Sequence, residues 1–330
     1  MRITILAGGV GGARFTSAIR EHLREAEAAG GEASEITVIA NTGDDLWLAG
    51  LKVCPDLDSL TYALAGINDT ERGWGRAGES ERVSAELAAF GVGWPWFTLG
   101  DLDLGTHLAR TSMLRDGLTL SEATARITAR WPLGVRLLPM SDQEVETHVE
   151  VDLPGEGVRL MHFEEWWVRL RASIPARRFV QRGIESARPA PGVLEAIADT
   201  DAVLIAPSNP VVSIGTILGV PGIADALRST AAPVVGVSPV IGGAVVRGMA
   251  DACLAAIGVE TSAEAVGRHY GARRAGGLLD TWLVGVEDAA AITSLASAGV
   301  HAVSVPLWLR DHETSVRLAA DALAAARRAT

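Results

Sequence analysis

The sequence predicts an α/β protein: a doubly wound parallel sheet with a smaller, partly antiparallel inserted domain. Three observations carry that prediction. Short apolar, β-branched runs (ITIL at 3–6, EITVIA at 35–40, DAVLIAP at 201–207) alternate with stretches of helical periodicity. A glycine cluster, Gly8, Gly9, Gly11 and Gly12, joins the first run to the first helical stretch. Polar residues gather where several strands are expected to end, which is where open parallel sheets bind ligands.

The chain has 330 residues, 48% of them hydrophobic, enough to bury a core for one large domain or two smaller ones. Its formal charge of -11 argues against a nucleic-acid surface. Cys54 and Cys253 provide neither a disulfide framework nor metal-ligand spacing. No apolar run reaches membrane length, and Arg2 leads straight into a strand rather than a signal peptide. A cytoplasmic protein without membrane or nucleic-acid partners is therefore expected.

Taken in order, Met1–Phe15 reads as strand, glycine turn and helix, with Phe15, Ile19 and Leu23 on one helix face. Such a turn lets backbone approach a ligand closely, and the helix dipole favours an anion, most often phosphate. Gly9-Val10-Gly11 begins a dinucleotide fingerprint, but its third glycine position holds Arg14 and the second strand runs into Asn41 instead of an acid. No Lys-Ser or Lys-Thr pair follows, so this is not a Walker loop. The turn thus predicts a phosphate without saying which; a tight turn without ligand is the plainer alternative.

The second strand delivers NTGDDLWLAG (41–50), with Asp44 and Asp45, and VCPDLDSL follows with Asp56 and Asp58 at a helix start. Helix capping accounts for either Asp56 or Asp58. Four clustered carboxylates are best relieved by an oxygen-liganded cation, Mg²⁺ or Ca²⁺. Phe97–Leu99 reads as a short strand, and GDLDLGTHLART (100–111) after it places Thr106, His107 and Arg110 on one helix face suited to a polar ligand. From Leu133 the pattern shortens: VRLLPM, ETHVEVDL, VRLMHF and WWVRLR read as extended runs, so residues 133–190 are expected to form the insert, with 1–132 and 191–330 as the core. The strand at 201–207 then delivers Ser208, Asn209 and Ser213, a second phosphate-type loop. Further strands are expected at 234–239, 281–284 and 303–307, with a final Ala/Arg helix. The strand-end clusters should converge on one crevice.

Six motifs occur in this order: GGVGGARF, NTGDD, PDLDSLTYALAG, LGDLDLGTHLART, APSNPVVSIGTIL and VSPVIGG. Together they resemble the 2-phospho-L-lactate transferase family of coenzyme F-420 biosynthesis, over nearly the whole chain. The resemblance implies a Rossmann-like core with a small additional domain, and a homodimer. It implies a donor that is a guanosine diphosphate ester of phosphoenolpyruvate or 2-phospholactate, and an acceptor that is the deazaflavin Fo. The ribityl hydroxyl of Fo attacks the phosphate remote from guanosine, GMP leaves, and a divalent metal such as Mg²⁺ assists. By motif match, Gly9, Gly11, Gly12 and Arg14 lie at the donor, with Ser208, Asn209 and Ser213 at its phosphates. Asp45 and Asp58 stand near the metal and the acceptor hydroxyl as the catalytic pair, and Thr106, His107 and Arg110 hold Fo. The chain differs from the expected pattern at Cys54, Leu102 and Gly105. A nicotinamide-dependent oxidoreductase and a non-catalytic guanine-nucleotide-binding module are the competing readings.

Overall fold

A computed structural model describes residues 1–329 of the protein. The first half of the chain begins β1 (Arg2–Ala7), α1 (Gly9–Ala28) and β2 (Glu35–Ala40), then a hairpin of β3 (Leu46–Leu48) and β4 (Leu51–Val53). Four helices follow: α2 (Pro55–Ala65), α3 (Arg82–Ala89), α4 (Asp101–Arg115) and α5 (Leu120–Thr128). Next come β5 (Arg136–Pro139), β6 (Glu146–Leu153), β7 (Gly157–His162) and β8 (Ala176–Arg182). The second half contains α6 (Val193–Ala198), β9 (Ala202–Ile205), α7 (Ile214–Gly219), α8 (Ile223–Ser229), β10 (Val234–Val237), and the small hairpin β11 (Val240–Ile241) and β12 (Ala244–Val245). It ends with α9 (Ala250–Ala256), α10 (Ala263–Tyr270), β13 (Thr281–Val284), α11 (Ala291–Ser297), β14 (Ala302–Ser304) and α12 (His312–Ala329).

Seven strands form one parallel sheet in the order β14-β13-β10-β9-β1-β2-β5. The chain winds outward from β1 through β2 to β5, returns to the other side of β1 as β9, and winds outward again. The reversal makes a switch point between β1 and β9, where the loops after the two strands diverge and leave a crevice. Strand alternation divides the core. Ile3 and Ile5 of β1 and Leu204 of β9 pack with Phe15 and Ile19 of α1, Leu60 of α2 and Leu318 and Leu323 of α12. Leu6, Val203 and Ile205 face the opposite layer, which includes Ile197, Ile217, Leu227 and Leu295. Both sheet faces are thereby covered, as a parallel sheet requires. At the site end, Pro55 sets the first turn of α2 and Gly66 closes the helix in the left-handed region at φ +68°.

The insert is smaller than the sequence suggested. Its three-stranded antiparallel sheet, β7-β6-β8, spans 146–182. Residues 136–139, expected within it, instead form the edge strand β5 in register with Thr37–Ala40 of β2. WWVRLR is helical rather than extended: residues 165–169 make a π-helical turn that buries Trp166. Residues 97–99 form no strand; the Ser84 hydroxyl donates to the Leu99 carbonyl and accepts from its amide, so this segment is pinned by a side chain. No helix among the described residues is long and apolar enough to cross a membrane.

Candidate active site

The two loops at the switch point are locked together. Gly8 N–H donates to Ser208 Oγ at 3.0 Å, and the same hydroxyl donates to the Gly8 carbonyl at 2.7 Å. A Cβ on Gly11 would lie 2.8 Å from the Pro207 carbonyl oxygen, and one on Gly12 2.7 Å from Ser208 Oγ. Glycine is therefore required for the loops to meet. Gly9, at φ +63°, aims its N–H at Asp56 Oδ1, 2.7 Å away, so this amide of the turn already has a carboxylate partner. Asn209 anchors its own loop: Oδ1 accepts from the Val211 and Val212 amides, and Nδ2 donates to Cys253 Sγ at 3.3 Å.

Around these loops lies a crevice of about 750 Å³. Gly9, Gly11, Arg14, Ser208, Asn209 and Ser213 line it, while Gly12 lies behind it, close to Ser208 Oγ. Its other walls bring in Asp44, Asp56, Asp58, Asp103, His107 and Glu164.

Asn41 organises the carboxylates nearest the glycine turn. Its Nδ2 donates to Asp44 Oδ2 at 3.1 Å and to Asp56 Oδ2 at 2.9 Å, while its Oδ1 accepts from Gly43 N. Asp44 Oδ1 is buried with no hydrogen-bond partner among the described residues. Burial, with Asp56 and Glu164 alongside, holds Asp44 well above the ordinary carboxylate range. Burial likewise pushes Asp56 up to about 6, against the pull of Asn41 and Gly9, and Glu164 up to about 8, with Asp56 adding repulsion. An acid raised in the folded state contributes no penalty while both states hold the proton. Stability then falls as pH rises above the ordinary glutamate value, 4.5, toward about 8, because only the unfolded chain releases the proton freely. Glu164→Gln should accordingly leave the ligand-free unfolding temperature unchanged at about pH 4 and raise it by several degrees at about pH 9. Thermal melts across pH check this; parallel curves for the two proteins would refute it.

The second group centres on Arg110, which is fully buried and ion-paired with Asp58 Oδ1. Its Nη1 also lies 3.2 Å from His107 Nδ1 and 3.3 Å from the Lys52 carbonyl. A guanidinium only donates, so His107 Nδ1 accepts and the ring proton sits on Nε2, facing Asp103 Oδ1 at 3.4 Å. Tyr62 Oη donates to the same carboxylate oxygen at 2.6 Å. Asp58 Oδ2 is buried with no hydrogen-bond partner among the described residues, although His107 Nδ1 approaches to 3.5 Å. Asp58, Asp103 and His107 are close enough to share a cation, but Arg110 already supplies positive charge there.

Three further expected site residues occupy other roles. Asp45 does not line the crevice; its carboxylate turns to Lys52 Nζ, 3.7 Å away, and burial raises it to about 6 against the pull of that lysine. Arg110 and Thr106 are buried behind the crevice wall, so of the expected trio only His107 lines it. Sequence reasoning missed Glu164, Tyr62 and Lys52. Glu164 comes from the insert, and no strand-end pattern marks it; Lys52 is the chain's single lysine, a signal that was available.

A family model described as 2-phospho-L-lactate transferase CofD matches residues 3–320. A Streptomyces coelicolor protein named phosphoenolpyruvate transferase is 54% identical over 323 residues, 98% of this chain and 97% of that one. Proteins with the same name from Thermobifida fusca and Mycobacterium avium are 54% and 51% identical, over 98% and 94% of this chain. Among solved structures, a UPF0052 family member from Bacillus halodurans shares the fold at a TM-score of 0.59, with 17% identity, covering 98% of this chain and 99% of that one. Similarity of this depth over nearly the full length leaves one placement: the chain belongs to the 2-phospho-L-lactate transferase family and is a transferase.

Proposed function

We propose that the protein transfers a phosphoenolpyruvyl, or 2-phospho-L-lactyl, group from a guanosine diphosphate-activated donor to the ribityl hydroxyl of Fo, releasing GMP. The names of the curated relatives favour the enolpyruvyl form. The observation that carries this reading is the polarity of the crevice. Arg14 and the N-terminus of α1 stand at one side, where phosphate is favoured. Asp58, with an unpartnered carboxylate oxygen, stands at another, where a hydroxyl can be deprotonated.

In the transfer, the hydroxyl oxygen bonds to the distal phosphorus as the bond to GMP breaks in line, and Asp58 accepts the hydroxyl proton. Arg110 holds the Asp58 carboxylate through Oδ1, while Oδ2, buried beside His107 Nδ1, keeps no hydrogen-bond partner among the described residues. The residues also fit a divalent cation. Asp44 and Asp56 offer hard oxygen ligands, and Asp44 Oδ1 has no hydrogen-bond partner among the described residues. Of the expected pair, Asp45 is better explained by Lys52, and Asp58 by Arg110 and the hydroxyl. A Mg²⁺ ion held by these carboxylates would neutralise charge on the phosphate being transferred. The working molecule is read as a cytoplasmic homodimer, which light scattering tests for assembly.

Mass spectrometry of the product formed from Fo and each donor tests the reaction; no Fo-linked phosphodiester with either donor would refute it. Two substitutions test the map of the crevice. His107→Ala should weaken Fo binding roughly tenfold with GDP affinity unchanged, and Asn209→Ala should do the reverse by releasing the loop beside the phosphates. Fluorescence titration of Fo and calorimetry with GDP read the two arms. Loss of the same ligand in both variants would overturn the map.

A further inference from the structure

Arg14, Arg247 and Arg310 are the only arginine or lysine side chains among the described residues lining the crevice. In a chain of net charge -11, arginines this close to five carboxylates are expected to pair with them. They do not. Among the described residues, the Arg14 and Arg247 side chains have neither a hydrogen bond nor an ion pair, and the Arg310 guanidinium lies over the Trp308 ring at 4.4 Å. Asp44, Asp56 and Asp58 come from segments following β2, whereas Arg247 and Arg310 come from segments following β10 and β14, across the switch point. Partial burial, with Arg14 near enough to repel, lowers the Arg247 pKa. Like charges left unpaired and side by side are held ready for an anion.

Arg247 is the placed member of this set. Its loop turns at Gly248, φ +81°, where a Cβ would meet the Trp167 ring at 2.8 Å. Its guanidinium lies against Gly73, φ +80°, where a Cβ would lie 2.1 Å from Nη2. The Gly248 turn thus lies against Trp167, and Gly73 leaves room for the guanidinium.

Resting on the proposed donor, we infer that Arg247, backed by Arg310, is the carboxylate clamp for the three-carbon acid being transferred. The donor carries three anionic groups: two phosphates and one carboxylate. The α1 N-terminus, Arg14 and the hydroxyl loop at Ser213 serve the phosphates. The carboxylate sits beyond the distal phosphate, away from the nucleotide, and needs a cation that the phosphates do not use. A planar guanidinium matches a carboxylate in two parallel hydrogen bonds. This separates the donor from GDP, which has the phosphates but lacks the acid.

The test compares wild type with Arg247→Gln and Arg247→Lys. Arg247 is solvent-accessible and unpaired, so both variants should melt as the wild type does. Arg247→Gln should raise KM for the activated donor roughly 10- to 100-fold, with kcat falling less and GDP affinity by calorimetry within about twofold of wild type. Arg247→Lys should recover part of the loss. A donor analogue whose carboxylate is replaced by carboxamide should lose affinity with wild type and not with Arg247→Gln. An unchanged KM, or an equal loss of GDP affinity, overturns the clamp. A wild-type protein that consumes neither donor overturns the reaction itself; a wild type that turns over, with Arg247→Gln indistinguishable from it, overturns the clamp alone.

Discussion

Arg110→Ala should destabilise the protein by about 3–5 kcal/mol, the cost of removing one partner from a buried charge pair. The side chain is 2% exposed. It pairs with Asp58, approaches His107 Nδ1 and donates to the Lys52 carbonyl, so its loss strands a buried carboxylate and an acceptor nitrogen at once. Neighbouring Asp58 holds its pKa above even the usual arginine value despite the cost of burial, so no accessible pH discharges it. Urea unfolding checks the prediction, and a loss below about 1 kcal/mol would mean that water enters and replaces the guanidinium. Arg110→Lys should recover only part, because an ammonium cannot hold the three acceptors in one plane. Any fall in turnover in these variants reflects the lost orientation of Asp58, since Arg110 itself stays behind the crevice wall.

The parts of this arrangement legible in the sequence are those set by local pattern. A strand, four glycines and an amphipathic helix have one common solution, and the strand-end clusters had to share one edge of a parallel sheet. What was not legible depended on partners distant in sequence. The apolar run at 136–139 looks the same in either sheet; only its register with Thr37–Ala40 decides. WWVRLR alternates like a strand, yet Trp166 is fully buried and Arg169 pairs with Glu165 four residues back, so a helical turn satisfies both. Residues 97–99 have strand composition and find no strand to pair with. The subtlest case is Asp44 against Asp45. The two are adjacent and identical, and neither propensity nor motif tells them apart. Asn41 draws Asp44 toward Asp56, while the β3–β4 hairpin carries Lys52 to Asp45.

That difference sets the final expectation, in which stability and turnover move in opposite directions. Asp44→Asn should lower turnover about 10²-fold or more, as loss of a cation ligand or charge-stabilising group does. The same substitution should raise the ligand-free unfolding temperature above neutral pH. It removes a charge that burial, Asp56 and Glu164 all oppose, and an amide keeps the shape and an acceptor for Asn41. Asp45→Asn should behave the other way. Lys52 is 4% exposed, and losing Asp45 leaves it only Glu144 at 3.9 Å, so stability falls while turnover changes less. Steady-state rates and thermal melts of both variants, with and without Mg²⁺, separate the outcomes. Added Mg²⁺ should raise the melting temperature of wild type more than that of Asp44→Asn, because only the former keeps the full carboxylate pair. Wild-type turnover in Asp44→Asn would remove Asp44 from the reaction. A buried carboxylate that costs stability and contributes nothing to rate would have no remaining reason to stand at the crevice wall.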